Sequence, residues 1–200
     1  ASEYNLVHCP GIPDEVSSNF TKGDYLRAIE RIKDYIAAGD VYQVNLSQRF
    51  EAALTRSPWE LHKTLRRIGP APNSCYIELG EPVLACASPE VFLTYDPVTR
   101  LARTKPIKGT RPRGRDAARD AELARELAES EKDRAENLMI VDMERNDLGR
   151  VAKYGSVRVP SLWDIEPHPN VFQMVSTVEA ELAEGYGPVD LLRSCFPGGS

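Results

Sequence analysis

Apolar positions recur at helical spacing from Thr21 to Ala38, where Tyr25, Ile29, Ile32 and Ile36 share a face and Gly39 fits a C-terminal cap. Residues 41–50 alternate enough to predict a strand. A second helix is predicted over residues 58–68, with Ser57 as its cap and Pro58 at the first helical position. Short strands follow at 75–79 and 83–87, around Gly80-Glu81-Pro82. A further pair spans 91–95 and 101–105, joined by a turn at Asp96-Pro97-Val98-Thr99. Helical patterning returns at 116–128 and 130–147, with Gly149 as the expected cap. Strands follow at 157–160 and 171–182, then a short helical pattern that runs into Phe196-Pro197-Gly198-Gly199-Ser200. Strands grouped in hairpins and helices in separate runs predict an α+β fold with mainly antiparallel pairing. Residues 1–20 are polar and irregular and read as a linker, which leaves 21–200 as the folded part.

Two hundred residues with 42% hydrophobic content suffice for one well-cored domain. The net charge of −5 argues against a general nucleic-acid binder, so any basic patch must be local. The four cysteines (Cys9, Cys75, Cys86, Cys195) are scattered and only three histidines are present, a poor basis for zinc or a disulfide framework. No leader pattern and no membrane-spanning apolar stretch is found, and a cytoplasmic, reduced protein is expected.

The local basic patch runs from Arg100 to Arg115, with seven basic residues and no acid. Lys108 lies inside it, in Pro106-Ile107-Lys108-Gly109-Thr110. Like charge and partial burial both make a lysine release its proton more easily, one route to an amine nucleophile. Gly109 permits close backbone approach to a ligand and Thr110 offers a hydroxyl. The alternative is a plain exposed basic loop. Glu90 lies eighteen residues upstream of Lys108, at the start of a predicted strand whose hairpin can bring it back near the lysine as a general acid. It can equally be a solvated ion-pair partner.

Glu136 opens the apolar stretch Leu138-Met139-Ile140-Val141, expected to be buried, and its charge needs either an arginine (Arg134 or Arg145) or a metal ion. The acids from Asp116 to Asp133, interleaved with arginines, read as a solvated helix face. Asn146 and Asp147 read as helix-terminating residues and His168, between two prolines, as a loop residue.

Ser88-Pro89-Glu90, Pro106-Ile107-Lys108-Gly109-Thr110, Glu136-Asn137-Leu138-Met139-Ile140-Val141-Asp142 and Phe196-Pro197-Gly198-Gly199-Ser200 resemble, in order and rough spacing, the chorismate-utilising enzymes. The run from Gly39 to Phe50 extends the resemblance, which covers residues 20–200. It implies two stacked antiparallel sheets flanked by helices, with the active site between them. Within the family the likeness is strongest to the branch that places an amino group at C4 of chorismate on the way to para-aminobenzoate and folate. There Lys108 would be the nucleophile and Glu90 the general acid, with ammonia supplied by a glutamine amidotransferase subunit. Relatives that aminate C2 and release pyruvate typically have alanine at position 108. Relatives that hydroxylate have lysine at position 43, where Gln43 cannot serve as a base for water.

The same resemblance assigns Gly109, Thr110 and Ser200 to holding substrate carboxylates, Gln173 to a weak pocket role and Glu136 to Mg²⁺. The remaining metal acids of relatives lie beyond the Gly-Gly-Ser loop. The chain is therefore expected to be part of a longer protein, inactive alone. The reading from another class is a non-catalytic binding piece of such an enzyme.

Overall fold

The computed structural model describes residues 16–199. They divide into two compact units, one holding the chain up to Pro70 with Cys75–Cys86, the other holding Ala71–Ser74 and the chain from Ala87 onward.

In the first unit, β1 (Ser17–Ser18) pairs antiparallel with β2 (Phe50–Glu51). Between them runs α1 (Lys22–Ala38), started by the Thr21 hydroxyl accepting from the Asp24 N–H and ended by Gly39 in the left-handed conformation. The strand predicted over 41–50 is not formed. Only Phe50 and Glu51 pair, and Tyr42 and Val44 are exposed, so the alternation there has no partner strand to act upon among the described residues. Helix α2 (Pro58–Ile68) has the predicted bounds, with the Ser57 hydroxyl accepting from the Glu60 N–H. Its Trp59 and His62 rings pack on Tyr76 of β3 (Asn73–Glu78), which forms a two-stranded sheet with β4 (Val83–Ser88).

The second unit is built on a five-stranded antiparallel sheet. Strand β5 (Val91–Asp96) returns through a turn in which the Asp96 carboxylate accepts from the Val98 N–H, and pairs with β6 (Leu101–Lys105). After the buried Pro106 the same run of chain continues as β7 (Ile107–Pro112). β6 and β7 lie end to end along one edge of the long central β9 (Val171–Glu181), and β8 (Arg158–Pro167) lines its other edge. Across the Pro106 joint, the Ser176 N–H donates to the Pro106 carbonyl at 3.1 Å, which keeps the two half-strands in line.

No strand is predicted for residues 107–112, where an exposed basic loop is the alternative to a reactive lysine, yet they form β7 despite Pro106, Gly109 and Pro112. It pairs on one side only, and an edge strand tolerates proline. β8 extends well beyond the predicted 157–160. Exposed and half-buried positions alternate without a break from Arg158 to Ile165, but an inward place holds Ser161 and an outward one Leu162, so the residue types do not display the alternation.

Helices α3 (Ala117–Glu129) and α4 (Glu131–Gly149) pack on β7 and β9, and the short α5 (Pro188–Cys195) packs on α4. Gly149 proves to be the last helical residue rather than the cap. One core cluster gathers Ala102, Val141, Leu148, Val178 and Leu191, and a second gathers Leu127, Phe172 and Met174. Within α4 the buried stripe is Asp133, Asn137, Ile140, Val141 and Leu148, whereas Leu138 remains exposed against expectation. The solvated-face reading also fails for two acids. Asp133 is buried and meets Arg111 at 3.0 Å, and Asp120 is clasped by Arg113 at 2.8 Å.

Candidate active site

The basic window is neutralised far more than its sequence suggests. The Arg100 guanidinium donates to the carbonyls of Leu182, Ala183 and Tyr186. Arg103 meets Glu179, Lys105 meets Glu166, Arg111 meets Asp133 and Arg113 meets Asp120. Repulsion from like charges is therefore largely compensated and is not what sets Lys108 apart. Its distinction is positional: Lys108 is half-buried, and its side chain has no ion-pair or hydrogen-bond partner among the described residues.

The backbone explains how Lys108 comes to be presented. Ile107 pairs with Val175 and Thr110 with Gln173, so β7 uses one residue more than β9 between these two pairs. That extra residue is a β-bulge at Lys108-Gly109, a feature that re-aims side chains beside sites. Gly109 sits at φ +90°, and a Cβ there would lie 2.8 Å from the Asp133 Cβ and 2.9 Å from the Leu127 Cδ1. The glycine is thus required by its conformation and by the close approach of α3 and α4.

Glu90 is brought to this bulge. Val91 pairs with Lys105, and one step further the Glu90 Oε1 accepts the Ile107 N–H at 2.8 Å. Ser88 fixes the approach, its hydroxyl donating to the Glu90 carbonyl and accepting the Glu90 N–H. Beside them lies a cavity of about 260 Å³ lined by Ser88, Glu90, Phe92, Glu144, Phe196 and Gly198. The glycine-rich loop closes tightly on one wall: a Cβ on Gly198 would stand 3.0 Å from the Phe92 ring, and one on Gly199 3.2 Å from the Met143 Cε.

Glu144 is the residue that sequence reasoning missed. Its Oε2 accepts the Thr104 hydroxyl at 3.0 Å. Burial pushes its carboxyl up to about 7, with Glu90 and Asp147 adding to the rise and the Thr104 hydrogen bond and Lys108 opposing it. The signal was present in the pattern: Ile140, Glu144 and Leu148 are spaced four apart on one helix face, so the acid falls on the buried stripe.

Of the other expected residues, Thr110 and Gln173 lie at the bulge itself. Thr110 is exposed opposite Gln173, whose buried Oε1 has no hydrogen-bond partner. Gln43 belongs to the first unit, where its amide donates to Asn45 at 3.3 Å. Ser200 lies outside the described residues. Glu136 is exposed and pairs with Lys132 at 3.7 Å rather than with an arginine. Among the described residues no three His, Cys, Asp or Glu side chains gather as a metal site, so Glu136 by itself falls short of one. His168 lies just past β8, where its N–H donates to the Val171 carbonyl across the turn into β9. No helix of the described residues is long and apolar enough to cross a membrane.

Comparison with known proteins defines the class. Residues 8–200 match the chorismate binding enzyme family, and the chain belongs to it. Among individual relatives, the chain is 44% identical over 191 residues to aminodeoxychorismate synthase component 1 of Bacillus subtilis, covering 96% of this chain and 40% of that protein. It is 46% identical over 198 residues to anthranilate synthase component 1 of Thermus thermophilus, covering 96% and 42%. The crystal structure of anthranilate synthase component I from Streptococcus pneumoniae superposes with a TM-score of 0.80 at 29% identity, covering 92% of this chain and 40% of that one. The chain thus spans about two fifths of the length of these relatives.

Proposed function

We propose that the protein containing this chain aminates chorismate at C4, through a covalent intermediate on Lys108. The observation that carries the proposal is the half-buried Lys108 on a bulge, its side chain unpaired among the described residues, beside a backbone N–H held by Glu90. In the first step the Lys108 amine attacks the ring at C2 and both ring double bonds shift toward C4. The C4 hydroxyl then leaves as water, taking a proton from the Glu90 carboxyl. In the second step ammonia attacks C4, both ring double bonds shift back and Lys108 leaves as an amine. The new C4 ammonium returns a proton to Glu90. The sum is chorismate plus ammonia giving 4-amino-4-deoxychorismate and water, one difficult displacement divided into two easier ones.

The ammonia source in this reading is a glutamine amidotransferase partner, in keeping with relatives named as component 1. Mg²⁺, when bound, would neutralise a substrate carboxylate. Glu136 is proposed as one contributor only, and no step depends on the metal here.

A second reading is amination at C2 with loss of pyruvate, favoured by the Thermus thermophilus relative of similar identity. Lys108 weighs against it, because a side chain attacking C2 occupies the position where ammonia would add. The test uses the full-length protein with chorismate and Mg²⁺. Without ammonia, mass spectrometry should find an adduct on the peptide holding Lys108, absent in Lys108→Ala. With ammonia, the chromatographed product should be aminodeoxychorismate. Anthranilate as the main product, or an adduct that survives Lys108→Ala, would overturn the reading.

A further inference from the structure

We propose that Glu144 is a further binding residue of this site, facing the same cavity as Glu90 and meeting the substrate as a neutral, hydrogen-bond-donating acid. The inference rests on the chorismate reading above and adds a residue to it. Its geometric basis is the wall of the cavity, where two carboxyl groups stand, Glu90 before β5 and Glu144 on α4. The Thr104 hydroxyl occupies one Glu144 oxygen, and the other takes no hydrogen bond from a described residue.

Chorismate is a dicarboxylate. In the proposed reaction Glu90 meets the substrate protonated, and an ionised Glu144 on the same wall of a cavity of about 260 Å³ would still repel the dianion. A neutral Glu144 removes that repulsion and becomes a donor toward a substrate oxygen.

The surroundings of Glu144 favour that form from several sides. Burial raises its pKa, and so do the charges of Glu90 from the neighbouring segment and Asp147 one turn along its own helix. Lys108 on β7 and the Thr104 hydroxyl on β6 pull the other way, and the balance stands at about 7. Cys195 on α5 packs near enough for the Glu144 charge to raise its own pKa, although burial is the larger cause there. Because the Glu144 pKa is raised, the neutral form prevails below pH 7 and is lost above it.

Two measurements on the full-length protein test this. In equilibrium titrations with chorismate and Mg²⁺, without ammonia, wild-type affinity relative to that of Glu144→Gln should fall by about tenfold per pH unit above 7, as linkage to one additional proton requires. Glu144→Gln, a permanently neutral isostere, should lack that additional decline over the same range. Thr104→Val removes a hydrogen bond that favours the carboxylate, so its decline should begin at higher pH than in the wild type. Parallel decline in wild type and Glu144→Gln, or no decline in either, overturns the inference.

The second measurement needs no substrate. Infrared difference spectra of protein carrying isotope-labelled glutamate should show a protonated-carboxyl band that titrates near pH 7 and is missing in Glu144→Gln. Absence of that band from the wild type, or its persistence in the variant, overturns the inference. A band that behaves as expected in a protein that does not bind chorismate would instead count against the chorismate reading of the site.

Discussion

Helix α1 in the first unit and helix α4 in the second start the same way, with a hydroxyl (Thr21, Ser130) accepting from the N–H three residues on. They differ in what they bury. No residue of α1 is fully buried: Tyr25, Ile29 and Ile32 are half-covered, and Leu26, Tyr35 and Ile36 are exposed. α4 buries five residues, two of them the polar Asp133 and Asn137, and its Glu144 sits half-buried at the cavity. Caps mark where a helix starts and ends, and they say little about what the helix is for. Polar groups on a buried stripe say more, because each needs a partner or a purpose. Asp133 has Arg111, Asn137 has the Ser176 hydroxyl, and Glu144 has Thr104 and a cavity.

The sharpest way to break this comparison is at Gly109. Gly109→Ala combines a strained φ with contacts under 3 Å to Asp133 and Leu127. It should cost about 3 kcal/mol or more in urea unfolding and loosen the packing of α4 on β7. A variant with wild-type stability would show that the bulge is not held as described.

Next in size is a matched pair of leucine truncations. Leu148→Ala, in the α4 core at 1% exposure, should cost about 2–5 kcal/mol. Leu26→Ala in α1, at 53% exposure, should stay within about 0.5 kcal/mol. Equal effects would mean that α1 is covered in the whole protein by something outside the described residues, and the contrast between the helices would dissolve.

The smallest effect concerns acid. Asp120 is held down to about 2 by hydrogen bonds from Arg113 and the Gly114 N–H. Its folded pKa lies below the ordinary value, so the stability it contributes is present above about pH 4 and is lost as pH falls toward 2. The urea midpoint of the wild type should therefore drop between pH 4.5 and 2.5 by more than that of Asp120→Asn. Identical drops would mean that this clasp contributes nothing.

Much of the fold was legible because its signals are local. Thr21, Ser57 and Gly39 mark helix ends through hydrogen bonds made within a few residues, and α2 has the bounds its sequence predicts. The failures share a different cause. Strand β7 hides behind Pro106, Gly109 and Pro112, which are breakers in a central strand and tolerable in one paired on a single side. The alternation of 41–50 looked like a strand, but pairing requires a neighbour that sequence cannot supply. The site shows the same division. Hairpin length allowed Glu90 to come near Lys108 without fixing the register, and the Glu90 carboxylate accepts the N–H of Ile107, the residue before Lys108. The compensation of Arg103, Lys105, Arg111 and Arg113 by acids from 22 to 76 residues away along three of the four pairs was invisible in a sixteen-residue window.

The bulge at Lys108-Gly109 also shifts the reading frame of the pleat. Upstream of it the even positions turn toward the helices: Ala102 joins the α4 core and Thr104 reaches Glu144. Downstream, the odd-numbered Arg111 takes over, reaching Asp133 on the same helix. One inserted residue therefore hands the helix-facing role from one parity to the other. Point changes on either side leave that phase intact. Deleting the inserted residue would let the upstream parity run straight through, so Arg111 would still meet Asp133 while Lys108 lost the bulge that presents it. A one-residue insertion between Thr110 and Arg111 would instead turn Arg111 to the opposite surface of the sheet, stranding Asp133 without its cation.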